Sequence, residues 1–546
     1  MNYEYPMKPG EIKTIPLAEV AAITMSIEPM TTDQSNLKRL IARRHPEYVG
    51  SVKHWKFLED TYEGGRSWFK GNIFQYIKEG TQEFADRVER AYRFNHTREV
   101  VDLVNKYLFK QNIERSQNAP PSLVKFWKSS TRNGLPIKDF ARQISKKTSI
   151  YGRIGVVVDN ITRTGDVPVS KADEKIVGAT TYAYIVSPEQ MLDYAFDAFG
   201  ALEWILIKEC VRDDLDPLTS TGKEEERYRL WTKTEWRLFE EQKDRKGKIT
   251  VVEIGNGTHN LGEVPVILAD HTISDEEYCA SAMIDDIAYL DKAVANYLSN
   301  LDAIIQDQTF SQLAMPAQNV LPGEDAYTKL LELGTKRIFL YDGEGNQKPF
   351  FLSPDPKQAE LIVGVIQKII SEIYHTVGMA GERTKQDNAL GIDNSSGVAK
   401  AYDFEKVNAL LASKADSLER IENKIAYLVA LWNGEEDKVV ALDKDAVLYP
   451  DNFDTRGIYD EFDMAARLML VMAPGSVRRE QMSMLIDKLF PQLKKDLRTE
   501  IDGELKDWPL DPLAIDPATG QPTAPDQQSL QKTAGRDIAK ATMAAT

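Results

Sequence analysis

Apolar positions along this chain recur first at helical spacing, then at strand spacing, then at helical spacing again. Within residues 51–62, Trp55, Leu58 and Tyr62 fall on one helical face, and Gly64-Gly65 stops the run. Thr97 is placed to cap a helix whose Val100, Val104 and Leu108 form one stripe. Residues 137–150 repeat the pattern and end at Tyr151-Gly152, so residues 33–150 read as mostly helical.

The texture then changes. Residues 153–159, Arg-Ile-Gly-Val-Val-Val-Asp, are a short apolar run between turn signals and predict a buried strand. Further strands are predicted at 181–186, 202–212, 228–232, 236–241, 249–254 and 264–269. Turns rich in Gly or Asp separate several of them, which favours an antiparallel α+β unit over repeating strand–helix–strand units. Residues 188–194 predict a short helix inserted between strands.

From Ser281 the helical step returns. Met283, Ile287, Leu290, Val294, Tyr297, Leu301 and Ile304 recur at alternating steps of four and three, a heptad seam. About 30 residues at ~1.5 Å each make a rod of roughly 45 Å. Asp285, Asp286, Asp291, Asp302 and Asp307 lie off the seam against the single Lys292, so the rod reads as acidic. A compact insert follows between Pro316 and Pro356, with a helix predicted at 325–333 and strands at 336–341 and 348–352. Residues 357–379, with Leu361, Val365, Ile369 and Ile373 in register, predict a second rod returning beside the first. The insert is too small to cover both rods, which predicts that their apolar faces meet each other and further copies of the chain.

A Gly- and polar-rich segment, 381–397, then runs straight into a long helical pattern at 398–432, closed by Asn433-Gly434. A charged loop held between long helices is a poor small-molecule pocket and a good way to project a finger from a rigid frame. Amphipathic helices continue over 457–507, and the tail from Pro509 is rich in Pro, Ala, Gln and Thr, a composition that favours disorder.

Composition narrows the function classes. With 546 residues, several structural units are expected. The net charge of -16 disfavours tight, groove-reading nucleic-acid binding, although a like-charged surface would let DNA slide past. Cys210 and Cys279 stand alone in different contexts, so neither a disulfide framework nor a thiolate metal site is expected. The first ten residues lack a basic-then-apolar leader, and no stretch approaches the ~18 apolar residues of a membrane span. A soluble protein of a reducing compartment is expected.

Catalytic signatures are missing from the sequence. His45, His54, His96, His259, His271 and His375 are dispersed without metal-ligand spacing and read as surface or packing residues. There is no phosphate loop, dinucleotide fingerprint or nucleophile elbow. The acidic clusters Asp275-Glu276-Glu277 and Asp285-Asp286 could hold Mg²⁺ for phosphodiester cleavage, but solvated helix ends are the simpler reading. Trp231 and Trp236 could stack on bases, with strand core the simpler reading. No cofactor, metal or catalytic residue is therefore expected. The alternatives are a metal-dependent nuclease or phosphodiesterase and a helical scaffold or adaptor without a channel.

One resemblance gathers these pieces. Tyr151-Gly-Arg-Ile-Gly-Val-Val-Val-Asp159, Ser187-Pro-Glu-Gln-Met-Leu-Asp-Tyr194, Glu372-Ile-Tyr-His-Thr-Val-Gly-Met379 and Ser396-Gly-Val-Ala-Lys400, in this order, resemble the portal proteins of tailed bacteriophages over roughly 50–500. The resemblance implies an α+β, helix-rich portal fold with a mixed α/β wing, a two-helix stem, a small α/β clip and a C-terminal helical crown. It implies a wing over 1–280, stem helices over 281–313 and 357–380, a clip over 314–356 and a tunnel loop over 381–397. The long wing helix and C-terminal wing would take 398–490, and the crown and tail 491–546.

In function, the resemblance implies a non-enzymatic ring, typically a dodecamer, at one capsid vertex of the virion, assembled in the host cytoplasm. Double-stranded DNA would pass its channel during packaging and ejection. Terminase, a head–tail adaptor and a major capsid or scaffolding protein would dock on it, with no membrane involved. Arg383, Lys385, Gln386, Asp387, Asn388, Asp393 and Asn394 would form the loop facing DNA. Met283, Ile287, Leu290, Val294, Leu301 and Ile304 would pack subunits along the stem.

Overall fold

A computed structural model describes residues 34–161, 180–214, 216–243, 249–259, 261–309, 312–316, 338–341, 348–352, 356–379, 397–442, 445–451, 453, 467–468, 474–489 and 495–506. The chain forms one compact unit ending at Phe453 and a second beginning at Asp454.

In the first unit the leading elements are helices α1 (Gln34–Ile41), α2 (Pro46–Glu63), α3 (Arg66–Asn72), α4 (Thr81–Arg90) and α5 (His96–Leu108). Strand β1 (Glu114–Arg115) and helices α6 (Pro121–Lys128) and α7 (Ile137–Tyr151) follow. Next comes the β-rich part: β2 (Arg153–Ile161), β3 (Thr180–Val186), β4 (Met191–Phe196), β5 (Leu202–Arg212), β6 (Glu224–Thr232), β7 (Glu235–Lys243), β8 (Ile249–Thr258) and β9 (Val266–Asp270). Helix α8 (Asp285–Thr309), strands β10 (Gln312–Pro316), β11 (Ile338–Tyr341) and β12 (Phe350–Leu352), and helix α9 (Pro356–Thr376) come after it. The unit closes with α10 (Gly397–Trp432), α11 (Glu436–Val440) and β13 (Val447–Leu448). In the second unit, α12 (Gly475–Leu489) and α13 (Lys495–Lys506) are tied by Arg498, which donates to Ser483 Oγ at 2.8 Å.

The fold is mixed helix and sheet, as expected for an α+β chain. Among the described residues three sheets are wholly antiparallel: the two-stranded β1-β13, the three-stranded β3-β2-β9 and the meander β4-β5-β6-β7-β8. The apolar run Ile154, Val156, Val157 and Val158 is fully buried because β2 is the central strand of its sheet, with helices packed against it. That sheet shares one core with α2, α5, α7, α8, α9 and α10, through residues such as Leu58, Val104, Ile144, Ile287, Ile373 and Leu411. Helix α1 instead covers the meander, setting Leu37 and Ile41 against Leu206, Tyr228 and Phe239. Trp231 is fully buried and opposite Trp236 in the β6–β7 ladder, so the pair belongs to the strand core.

Gly152 fixes how α7 turns into β2. Its φ is +80°, and a Cβ there would lie 1.9 Å from the Ala280 carbonyl oxygen. Only glycine admits both the left-handed backbone and that approach. The segment leading to α8 is thereby held directly on the α7–β2 corner.

Three expectations are corrected. Residues 188–194 are not a helix. Gln190 Oε1 accepts the Ser187 N–H at 3.0 Å, closing a turn, and Met191 begins β4, whose pairing with β5 buries Met191, Leu192, Asp193 and Tyr194 together. Thr97 does not cap α5. Asn95 does, accepting from Arg98 N at 3.0 Å, while the Thr97 hydroxyl points to Asp291. The insert between the rods also gains a strand that was not expected. Gln312–Pro316 lies central in a mixed sheet, parallel to β11 and antiparallel to β12. Its five residues ending in proline carry no alternation to betray it. The helix expected at 325–333 lies outside the described residues.

Candidate functional site

The feature that organises the first unit is the pair of long helices α8 and α9, with the small sheet β11-β10-β12 strung between them. Asp291, near the start of α8, and Tyr374, near the end of α9, both meet the first turn of α5. At the other ends, β10 leaves α8, β12 enters α9, and the two strands pair antiparallel. The helices therefore run antiparallel.

Asp291 is wholly buried. One carboxylate oxygen accepts from the Thr97 N–H at 3.2 Å and from the Thr97 hydroxyl at 2.8 Å. A carboxylate at a helix N-terminus is favoured by the free N–H groups and the dipole there. The Arg93 guanidinium lies 3.9 Å from the same oxygen, stacks 4.1 Å over the Trp68 ring and donates to the Thr61 carbonyl. Burial lowers the Arg93 pKa from its ordinary value, and Asp291 opposes that shift. This buried pair anchors the base of α8.

Further attachments run up the same helix. Asp285 accepts the Ala282 N–H at 2.8 Å and holds His54 Nε2 at 2.8 Å. Asn296 donates to the Asn72 carbonyl and accepts the Phe74 N–H, both at 2.9 Å. Arg87 donates to Ser299 Oγ at 2.9 Å while clamped by both oxygens of Glu79 at 2.8 Å, and Arg90 faces Asp302 at 3.5 Å. Asp285, Asp291 and Asp302 of the acidic rod all turn to partners within this chain, whereas Asp286 is exposed. Lys292 sits over the Phe57 and Phe74 rings, and burial lowers its pKa.

Helix α9 is fixed at its end. The Tyr374 hydroxyl donates to Glu99 at 2.6 Å, so its 3.2 Å contact with His96 Nδ1 uses the imidazole N–H as donor. Gly378, with φ +72°, closes the helix against α10, where a Cβ would meet Lys406 at 3.0 Å. Ile373 is fully buried, whereas Leu361 is 71% exposed and Phe351 65% exposed near the sheet end.

Of the seam residues, Ile287 and Val294 are fully buried in the chain's own core; Met283, Leu290 and Leu301 pack half-buried against it, and Ile304 is half-buried. Arg383, Lys385, Gln386, Asp387, Asn388, Asp393 and Asn394 lie outside the described residues. Asp275, Glu276, Glu277 and Asp286 are exposed, and among the described residues no three His, Cys, Asp or Glu side chains converge to hold a metal. Cys210 and Cys279 are free thiols. No helix among the described residues is long and apolar enough to cross a membrane. Sequence reasoning missed Arg93 and Asn296 and the roles of Thr97 and Tyr374, whose partners lie roughly two hundred or more positions away and follow no local pattern.

No family model matches the sequence, and no curated protein matches it. Among solved structures, the chain is similar to one described as the neck of an empty GTA particle computed with C6 symmetry. That match has 9% identity and a TM-score of 0.31, covering 74% of this chain and 89% of the other. It is also similar to a chain of the virion of a native gene transfer agent particle, with 10% identity and a TM-score of 0.30, covering 80% of this chain and 98% of the other. Similarity at this level carries no argument about function.

Proposed function

We propose that this chain is the subunit of a portal ring of a tailed bacteriophage, a non-enzymatic conduit for double-stranded DNA at one capsid vertex. The observation that carries the reading is the antiparallel pair α8 and α9, anchored at its base on α5 and bearing a three-stranded sheet between its far ends. A pair so anchored is a rigid strut. Its sheet is then a docking tip for terminase and later a head–tail adaptor.

Subunits would meet along the parts of the strut that the chain itself leaves uncovered. Leu290, Leu301 and Ile304 are half-buried, and Leu361 is exposed on α9. Ile287 and Val294 are already enclosed and would support that surface from beneath. Residues 381–397 enter the long α10 and would reach toward DNA, with Arg383 and Lys385 making transient phosphate contacts. A ring built from chains of net charge -16 would otherwise repel DNA and keep sliding friction low.

The test is negative-stain electron microscopy of the purified chain with mass photometry, alone and with capsid or scaffolding protein. Rings with a central hole, about a dozen subunits by analogy with the resemblance, support the reading. Monomers or dimers under both conditions, or Mg²⁺-dependent cleavage of DNA lost on changing Asp285 and Asp286, would overturn it.

A further inference from the structure

Lys414 lies near the middle of α10 and is completely buried. A lysine in that position normally pairs with a carboxylate. Here its Nζ instead contacts Ser149 Oγ at 2.8 Å, Thr148 Oγ1 at 3.3 Å and His271 Nδ1 at 2.8 Å. The hydroxyl protons are already committed: Ser149 donates to the Ser145 carbonyl, and Thr148 to the carbonyls of Ile144 and Ser145. Both hydroxyls therefore turn lone pairs toward Nζ.

The hydrogen bond between Nζ and Nδ1 can hold one proton, carried by either nitrogen. If an ammonium carries it, the site is a buried cation; if a neutral amine donates one of its two N–H groups to a bare Nδ1, the site is uncharged. If the imidazole carries it, with Nε2 bare, the amine accepts through its lone pair and the site is uncharged. No carboxylate contacts Nζ among the described residues. The charges on the surrounding elements are paired elsewhere or face solvent. Arg153 on β2 holds Asp270 at the end of β9 with two bonds of 2.6 and 2.8 Å; Lys147 on α7 pairs with Glu59; Asp416 on α10 is exposed, and Glu419 accepts the Tyr449 N–H. Tyr151 on α7 is neutral, its pKa raised by burial. Burial lowers both lysine and histidine, and lysine's charge adds to the shift on histidine, which favours the uncharged arrangement.

The location gives the pair a mechanical role. His271 also donates its backbone N–H to the Gly152 carbonyl at 2.7 Å, and Ser417, one turn along α10, donates to the Asp270 carbonyl at 2.7 Å. Helix α10, helix α7 and the end of β9 are thus joined at one buried polar cluster. We propose that the Lys414–His271 pair is an acid-released latch: uncharged when closed, it holds α10 against α7 and β9, and uptake of a proton from solvent opens it. The added proton leaves a cation with no counter-charge, which is relieved when α10 separates and water reaches Nζ.

Hydrogen–deuterium exchange on the full chain tests this, comparing peptides of α10, α7 and β5–β7 at about pH 8 and about pH 5.5, corrected for intrinsic exchange rates. One proton taken up on opening raises the open population by about tenfold per pH unit. The expected result is acid-enhanced exchange in α10 and α7 but not in β5–β7, abolished in Lys414→Met and reduced in His271→Gln. Equal pH dependence in wild type and Lys414→Met would overturn the latch. Failure of Lys414→Met to fold at pH 8 would also overturn it, because a latch that is neutral when closed tolerates an uncharged side chain of similar length.

Discussion

Asp291 on α8 accepts both the backbone N–H and the side-chain hydroxyl of Thr97, so a wholly buried carboxylate ties the strut to the N-terminus of α5. Arg93 is its cationic neighbour, and its side chain is itself almost wholly buried. Removing one member of such a pair leaves the other charge uncompensated. Asp291→Ala should cost about 3 kcal/mol or more in denaturant unfolding. A cost below about 1 kcal/mol would show that Arg93 is neutralised by other groups.

Glycine substitutions separate close packing from backbone conformation. At Gly200, φ is +81° and a Cβ meets open space, so Gly200→Ala should cost about 1 kcal/mol. At Gly152 the same backbone strain adds to a backbone clash, and Gly152→Ala should cost at least about 3 kcal/mol or misplace the start of α8. Thermal unfolding of both variants decides it; equal costs would mean that the Ala280 segment moves aside freely.

Assembly along the strut is best tested at Leu361. Because it is exposed, Leu361→Asp should leave the isolated chain within about 0.5 kcal/mol of wild type. If copies pack on this face, the variant should fail to form rings under conditions where wild type does. Leu301→Asp is a poorer probe, since Leu301 also packs against the chain's own core. Unchanged rings in Leu361→Asp would take this face out of the subunit contact.

The segment entering α10 can be tested without disturbing the strut. Deletion of residues 387–394 should preserve assembly and impair DNA packaging or retention, measured as DNase-protected genome per particle. Normal values for both would remove DNA handling from the segment.

Stability should depend on pH through Lys414 and His271. Both are bases whose folded pKa lies below the ordinary value, 10.5 for lysine and 6.5 for histidine. The unfolded chain therefore binds more protons, and stability rises with pH. Stability is lost through lysine as pH falls from its ordinary value toward its depressed one, and further through histidine as pH falls below its own ordinary value. The unfolding midpoint of wild type relative to Lys414→Met should climb between about pH 6 and about pH 9. Parallel profiles would show that Nζ keeps its proton in the folded chain.

Long-period patterns were legible because they report burial of one face. The strands of the meander, the rods and the long α10 follow from runs in which apolar residues repeat at a fixed step. Residues 188–194 read as a short helix from local spacing, and the pairing of 191–196 with β5 made them a turn and a strand instead. Thr97 looked like a cap because capping is local chemistry; a carboxylate 194 positions away claimed its hydroxyl. The heptad seam announced a buried face without saying what buries it, and the fold encloses Ile287 and Val294 with the chain's own helices.

The sequence by itself determined most of the long helices and strands, their order, and the rod–insert–rod skeleton, since these depend on period and on glycine and proline punctuation; the strands at 191–196 and 312–316 needed their partners. Only the tertiary structure decided the partners of the polar groups inside the core. Asp291 with Thr97 and Lys414 with His271 meet through chain separations of 194 and 143 residues. In a buried site the energy of a charge is set by the few atoms that touch it, and no spacing along the chain records which atoms those are.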